Sequence, residues 1–314
     1  MRLRRTRSST GTGDGGIERL YPRGFWSTMA LPGVVWIVAL FLVPFYAIVA
    51  TGAGGVDPIF GTARPEWNPI FWQPDNFLWV LRDPNGIVTP VFIRTIWYVV
   101  AAVVACVLAG YPVAYYMSRL TGRRRNIFLI LMVLPFWVSY LMRILAWVNL
   151  LQNDGLVNRL ISMTGLLQPQ EWLSGRSSTV VLGLVYGYIP FFILPLYAAL
   201  ERIDKDLVKS ALDLGASPAD AFRRVTLPLS KQGILAGVVI IMLPMFGDFF
   251  TADLLGTSKN AMIGSLVNLY VTTFTQGASQ GRGAALVIVL SLVVSVLTLY
   301  YLINTARASR EARA

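Results

Sequence analysis

Polar and apolar residues are sorted along the chain into long blocks rather than interleaved. Apolar runs at about 29–51, 91–117, 127–151, 178–200, 234–250 and 283–303 are separated by polar stretches rich in Arg, Asp, Gly and Pro. Runs of about 18 or more apolar residues with few charges are long enough to cross a bilayer as helices. In lipid, a helix satisfies its own backbone polar groups, which an open strand cannot do. The pattern predicts an all-α membrane protein with six transmembrane helices. The run from Ile234 is the weakest, because it contains Pro244 and Gly247 and fades into "DFFTADLLG". Within the polar loop that follows the first run, "DNFLWVLRDP" has the pattern of a short amphipathic helix on the membrane surface.

Composition agrees with this reading. The 314 residues are 55% hydrophobic and 14% charged, whereas soluble domains carry about a quarter charged residues. Residues 1–24 read as a flexible basic tail, 25–305 as the membrane domain and 306–314 as a second tail. Arginines precede the first apolar run, as in a signal peptide. That run, however, exceeds the about 7–15 residues of a signal peptide's apolar h-region, and no clean A-x-A cleavage site follows it.

Charge gives the orientation. The two tails, the "TGRRRN" loop with Arg119 just before it and the loop 201–233 together hold 19 of the 27 Lys and Arg but 8 of the 16 acidic residues. The whole net charge of +11 therefore falls on one side of the membrane. Basic residues mark the cytoplasmic side, so both termini are expected there. Topology thus accounts for the basicity without a nucleic-acid partner.

Several chemistries are excluded. The chain has no histidine and a single cysteine, Cys106, which removes the commonest general base, Cys-based metal clusters and an internal disulfide. Glycine precedes none of Lys205, Lys209, Lys231 and Lys259, so there is no Walker A phosphate loop. No catalytic residue and no metal site is expected, and an enzyme reading is left with carboxylates alone, most of them in loops.

The informative polar stretch is "SALDLGASPADAFRRVTLPLS", 210–230. Leu207, Ala211 and Leu214 share one helical face. Gly215 follows where a helix ends in a left-handed residue. Ser217, Pro218 and Asp220 suit the N-cap, first and third positions of a second helix. That helix turns Phe222 and Val225 inward, shows Arg223 and Arg224, and is expected to end at "TLPLS" on Pro228. Taken alone, this is an interfacial helix–break–helix.

These residues closely resemble the EAA loop of binding-protein-dependent ABC transporter permeases. Ala211, Asp213, Leu214, Gly215, Ala216, Phe222, Leu227 and Pro228 match it as they stand. The resemblance implies a type I importer permease core of the MetI-like kind. It also implies that this loop docks into a cleft of a separate ATPase, present in two copies, where ATP and Mg are bound. A second, homologous permease and an external substrate-binding protein complete the implied assembly in the cytoplasmic membrane. Lys209 stands where the family has the glutamate of its Glu-Ala-Ala. The stretches "GYPVAYYMSR", "LPFWVSYLMRILAW" and "FTADLLGTSKNAMIGSL" resemble the spermidine/putrescine permeases, first permease subunit. Other small solutes and, more distantly, ion-coupled secondary transport are the alternatives.

A path for a polyamine needs acceptors and aromatic faces. Asp248 and Asp253, at the outer end of the fifth run, are the candidate acceptors. Pairing with Lys259 or helix capping is the structural reading of Asp253. Trp137 and Tyr140 are candidate aromatic contacts, with packing as their alternative. Arg143 is expected to pair with an acidic residue on the path or to snorkel to the interface. Pro135, Pro190, Pro195 and Pro244 are expected to kink their helices.

Overall fold

The computed structural model describes residues 25–165, 168–273 and 277–311. The expected amino tail, 1–24, lies outside them. Among the described residues, five helices are long and apolar enough to span a membrane: Thr28–Gly52, Val88–Arg119, Ser177–Glu201, Pro218–Gly247 and Gly277–Tyr300. A sixth span is a bent pair, Gly122–Trp137 and Tyr140–Thr164, which meet at 90°. The last helix continues to Glu311, so the expected carboxyl tail begins within it.

The core is formed where Val88–Arg119, Ser177–Glu201 and Pro218–Gly247 pack together. Phe192 is fully buried between the other two helices. A Cβ on Gly110 would lie 2.7 Å from one edge of its ring, and a Cβ on Gly237 2.8 Å from the opposite edge. Inside lipid there is little hydrophobic drive for one helix to leave acyl chains for another. Close approach at small residues supplies the packing energy instead. Thr28–Gly52 joins this body through Val43–Gly52, which packs on the last helix, while its earlier side chains are exposed.

Prolines behave in three ways. Pro190, Pro195 and Pro244 lie inside continuous helices. Pro44 and Pro228 each follow a π-helical turn, Val38–Leu42 and Phe222–Thr226, and the helix runs on through both. The expectation that Pro228 ends its helix is therefore corrected. A proline ring clashes with the carbonyl four residues earlier, and the wider π turn moves that carbonyl aside. At Pro135 the chain instead tightens into the 3-10 turn Leu134–Trp137, then extends at Val138 and Ser139. That break is sharper than the kink expected at Pro135 and divides the span expected over 127–151 into two helices that meet at 90°.

Candidate functional site

Two groups of side chains stand at opposite ends of Pro218–Gly247. At its amino end is the polar helix pair. Helix Lys205–Asp213 is capped by Asp204, whose carboxylate accepts the Asp206 N–H at 2.9 Å. It closes on Gly215 at φ +88°, with the Gly215 N–H donating to the Leu212 carbonyl at 2.9 Å and the Ala216 N–H to the Ala211 carbonyl at 3.0 Å. This is the Schellman closure, and it needs a left-handed residue. Nothing crowds the position of a Gly215 Cβ, so the dihedral alone requires glycine. Ser217 then accepts the Asp220 N–H at 3.1 Å and donates to the Asp220 carboxylate at 2.6 Å, with Pro218 at the first helical position.

The two halves of the pair face different surroundings. Phe222 packs edge-on against Tyr111 and Tyr115, with ring centroids 5.7 and 5.4 Å away. Leu207 and Leu214 are uncovered, Leu214 at 89% exposure, and Ala211 is half-buried. Among the described residues, nothing covers Leu214, and Leu207 stays half open. Lys209 and Asp213 are exposed, as are Leu227 and Pro228, and Ala216 is half-buried. The Lys209 Nζ donates to Asp206 at 2.9 Å. That bond, with Asp204 and Asp213 nearby, holds the Lys209 pKa above its ordinary value. Behind the pair, Arg125 forms an ion pair with Glu201, joining the start of the bent pair to the end of Ser177–Glu201.

At the carboxyl end, Asp248 is buried. Its carboxylate accepts from Tyr140 Oη at 2.5 Å, Thr251 Oγ1 at 2.7 Å, the Thr251 N–H at 3.0 Å and Tyr188 Oη at 3.2 Å. Three elements are joined here: the second half of the bent pair, helix Ser177–Glu201 and the turn into the short helix Phe250–Leu255. Asp253, on that short helix, is exposed and makes no ion pair with Lys259. Lys259 and Ala261 instead offer their carbonyls to the Arg94 guanidinium.

Arg143 differs from expectation. It is buried, yet it meets no carboxylate among the described residues. Its guanidinium lies 4.3 Å from the Phe136 ring centroid and 5.5 Å from that of Tyr140, and its Nε has no hydrogen-bond partner. The hydroxyls already occupy Asp248, and aromatic faces take the charge instead. Trp137 is 84% exposed at the bend and is not brought to this cluster.

Tyr188 and Thr251 are the members of the Asp248 cluster that sequence reasoning did not assign. The local signal for Thr251 is its place three residues after an aspartate at a helix start. Tyr188 has no local signal, because its partner is 60 residues away. A second polar knot is likewise non-local. Asn260 Nδ2 donates to Tyr98 Oη at 2.8 Å, and Tyr98 donates to Ser177 Oγ at 2.8 Å, which ties the segment after Asp253 to two spans.

Comparison with known proteins places this geometry in a group. Residues 106–310 match the family model described as binding-protein-dependent transport system inner membrane component. The chain is 32% identical over 268 residues to the spermidine/putrescine transport system permease protein PotB of Escherichia coli, covering 85% of this chain and 93% of that protein. It is 35% identical over 225 residues to PotB of Haemophilus influenzae, covering 70% and 78%. It is also 32% identical over 211 residues to a probable molybdenum ABC transporter permease protein of Haloferax volcanii, covering 66% and 73%. A bacterial alginate ABC transporter, solved in complex with an alginate pentasaccharide-bound periplasmic protein, shares the fold. Its chain superimposes with a TM-score of 0.70 at 17% identity, over 88% of this chain and 92% of that one.

Proposed function

The chain belongs to the family of binding-protein-dependent transport system inner membrane components and is the permease of an ABC importer; from that premise we propose that it imports a polyamine, driven by a separate ATPase. The proposed assembly has two ATPase copies, which bind ATP and Mg, a second permease and an external binding protein. Both termini of this chain face the cytoplasm.

The observation that carries the reading is the continuous helix Pro218–Gly247, of 30 residues. At about 1.5 Å per residue it is on the order of 45 Å long. It begins one residue after the Ser217 cap and ends one residue before Asp248. Its amino end adjoins an apolar stripe, Leu207 and Leu214, that the described residues leave exposed. The ATPase covers that stripe, and Lys209, Ala211, Asp213, Gly215 and Ala216 form the docking surface. Phe222 anchors the pair to the core, while Leu227 and Pro228 carry it past the π turn. Closure of the ATPase tilts the helix as one body. The displacement reaches the Asp248 cluster, where the cavity opens outward for solute.

Polyamine specificity is favoured by the identity to PotB and by the chemistry of the outer end. Asp253 is a free carboxylate on the path. The acceptors of Asp248 are occupied, so it serves the path by holding Tyr140 and Tyr188 in its wall. Arg143 lies against Phe136 and Tyr140, buried from solvent, and Trp137 stands at the rim of the bend.

Uptake of labelled spermidine into vesicles, with the copurifying ATPase supplied with ATP, tests the reading. ATP-dependent uptake that falls strongly in Asp253→Asn, with assembly intact, is expected. Uptake that persists without the ATPase would overturn the ABC coupling. Absence of spermidine uptake by an intact, ATP-hydrolysing complex would overturn the solute assignment.

A further inference from the structure

The loop after the first span carries a row of large apolar side chains that its own fold does not use. Ile59 and Phe60 stand 83% and 78% exposed in the turn between two antiparallel strands, Gly55–Val56 and Ala63–Arg64. Ile70 and Phe71, on the short helix Pro69–Phe71, are 84% and 64% exposed, and Trp67 is also exposed. These positions are held in place. The Asp57 carboxylate accepts the N–H groups of Ile59 at 2.8 Å and Phe60 at 2.9 Å, which fixes the turn. The Asn68 side chain caps the short helix through the Ile70 N–H at 3.1 Å.

The fold also fixes the depth of this row. The Glu66 N–H donates to the Ala50 carbonyl and the Gln73 N–H to the Ala53 carbonyl, each at 2.9 Å. Tyr46 donates its hydroxyl to the Trp67 carbonyl, with its ring 6.1 Å from Trp67 and 6.3 Å from Trp72. Tyr46 lies six residues before the end of the first span, roughly 9 Å inside it along the axis. The loop therefore folds back against the span and does not project away from the membrane. Its hairpin is joined to the last span as well, since the Gly277 N–H donates to the Gly61 carbonyl at 2.6 Å.

We propose that Ile59, Phe60, Trp67, Ile70 and Phe71 form a lipid-seating surface that rests in the boundary between headgroups and acyl chains. The occupant is lipid because Trp67 of the row lies beside Tyr46 on the exposed apolar face of the first span, which also carries Phe41 and Phe45. Bulky apolar and tryptophan side chains suit that boundary, where one end is apolar and the other wet. Few charges oppose it: between Val56 and Trp72 they are Asp57, Arg64 and Glu66.

The test uses the full chain with the subunits that copurify with it, in lipid nanodiscs. Cys106 is the single cysteine and is buried, so a Cys106→Ser background allows single labels at Ile59→Cys, Phe60→Cys and Ile70→Cys. Asn85→Cys, in the exposed turn before the second span, is the water-facing control. An environment-sensitive fluorophore at the three sites should emit to the blue of the control. It should lose emission to a quencher carried on lipid and resist aqueous iodide. Iodide quenching like that of Asn85→Cys would overturn the proposal. So would shielding from both quenchers, which would mean that a protein covers the row. Ile59 and Ile70 lie on separate elements, so either reports alone if the other variant fails to assemble.

Discussion

Pro135 and Pro228 pose the same chemical problem and receive opposite solutions. Each lies within a membrane-spanning segment, lacks an N–H and presses on the carbonyl one turn back. Before Pro228 the helix widens into a π turn, with the Leu227 N–H donating to the Phe222 carbonyl, and then continues. Around Pro135 it tightens, extends and turns through 90°. The difference lies in what holds the residues that follow. Pro228 leads into a helix packed on Ser177–Glu201, which rewards continuity. Pro135 leads to Tyr140 and Arg143, which the Asp248 carboxylate and the Phe136 ring hold in place. A proline permits a break, and tertiary contacts decide whether one occurs.

The largest effect is expected from removing the fastening at the bend. Asp248→Leu leaves the hydroxyls of Tyr140, Tyr188 and Thr251 and one N–H without their acceptor. At about 1–3 kcal/mol for an unsatisfied buried group, with Tyr140 and Thr251 partly satisfying each other, the loss is about 2–4 kcal/mol. Thermal unfolding of the purified complex should show it, and uptake should fail. Asp248→Asn keeps an acceptor and the size, so its loss should be about 1 kcal/mol. If Asp248→Leu unfolds at the parent temperature, the bend does not depend on this cluster.

Next comes the continuous side of the comparison. Deleting Val225 removes the extra residue of the π turn and presses Pro228 on the preceding carbonyl, at a cost of about 3 kcal/mol where no relief is found. It also rotates the Ser217 end by about 100° relative to the span. ATP hydrolysis that continues while transport stops is the expected result. Transport at the parent rate would mean that the helix does not act as one body.

A smaller effect is expected at Gly215. A β-branched residue at φ +88° meets a backbone conformation that costs about 1–2 kcal/mol. Gly215→Val should weaken retention of the ATPase in pull-down, and Gly215→Asn, which tolerates the left-handed region, should retain more of it. Equal retention by both variants would separate docking from the Schellman closure.

These elements differ in how far they were legible in the sequence. The helix pair was readable because its signals are local: Gly215, Ser217, Pro218 and Asp220 all lie within one six-residue stretch. Five spans were readable from apolar run length. A kink at Pro135 was readable too, but its sharpness and the continuity past Pro228 were not. Both depend on backbone responses to proline that composition does not encode. The Asp248 cluster was half legible, because an aspartate beside a span signals a role, whereas Tyr140 and Tyr188 reach it across 108 and 60 residues. Arg143 was misread for the same reason, since its acidic partner was sought where aromatic rings stand.

The smallest effect is expected at Lys209, and it is the most diagnostic for the partner. Its ammonium is solvated and already engaged by Asp206 on its own helix. Its folded pKa is raised, so its contribution is complete below the ordinary value near 10.5 and is lost only as pH rises through the folded value. Coupled uptake should therefore show no Lys209-dependent change across the neutral range. Lys209→Glu places a fourth carboxylate among Asp204, Asp206 and Asp213, on a surface where exposed pairs are weak. Uptake should stay within about threefold of the parent. A larger loss that high salt relieves would show that Lys209 leaves Asp206 to meet an acidic group on the ATPase. In that case the charge that the family places on its own glutamate has moved to the partner here, and a basic substitution on the ATPase should restore coupling to the glutamate variant.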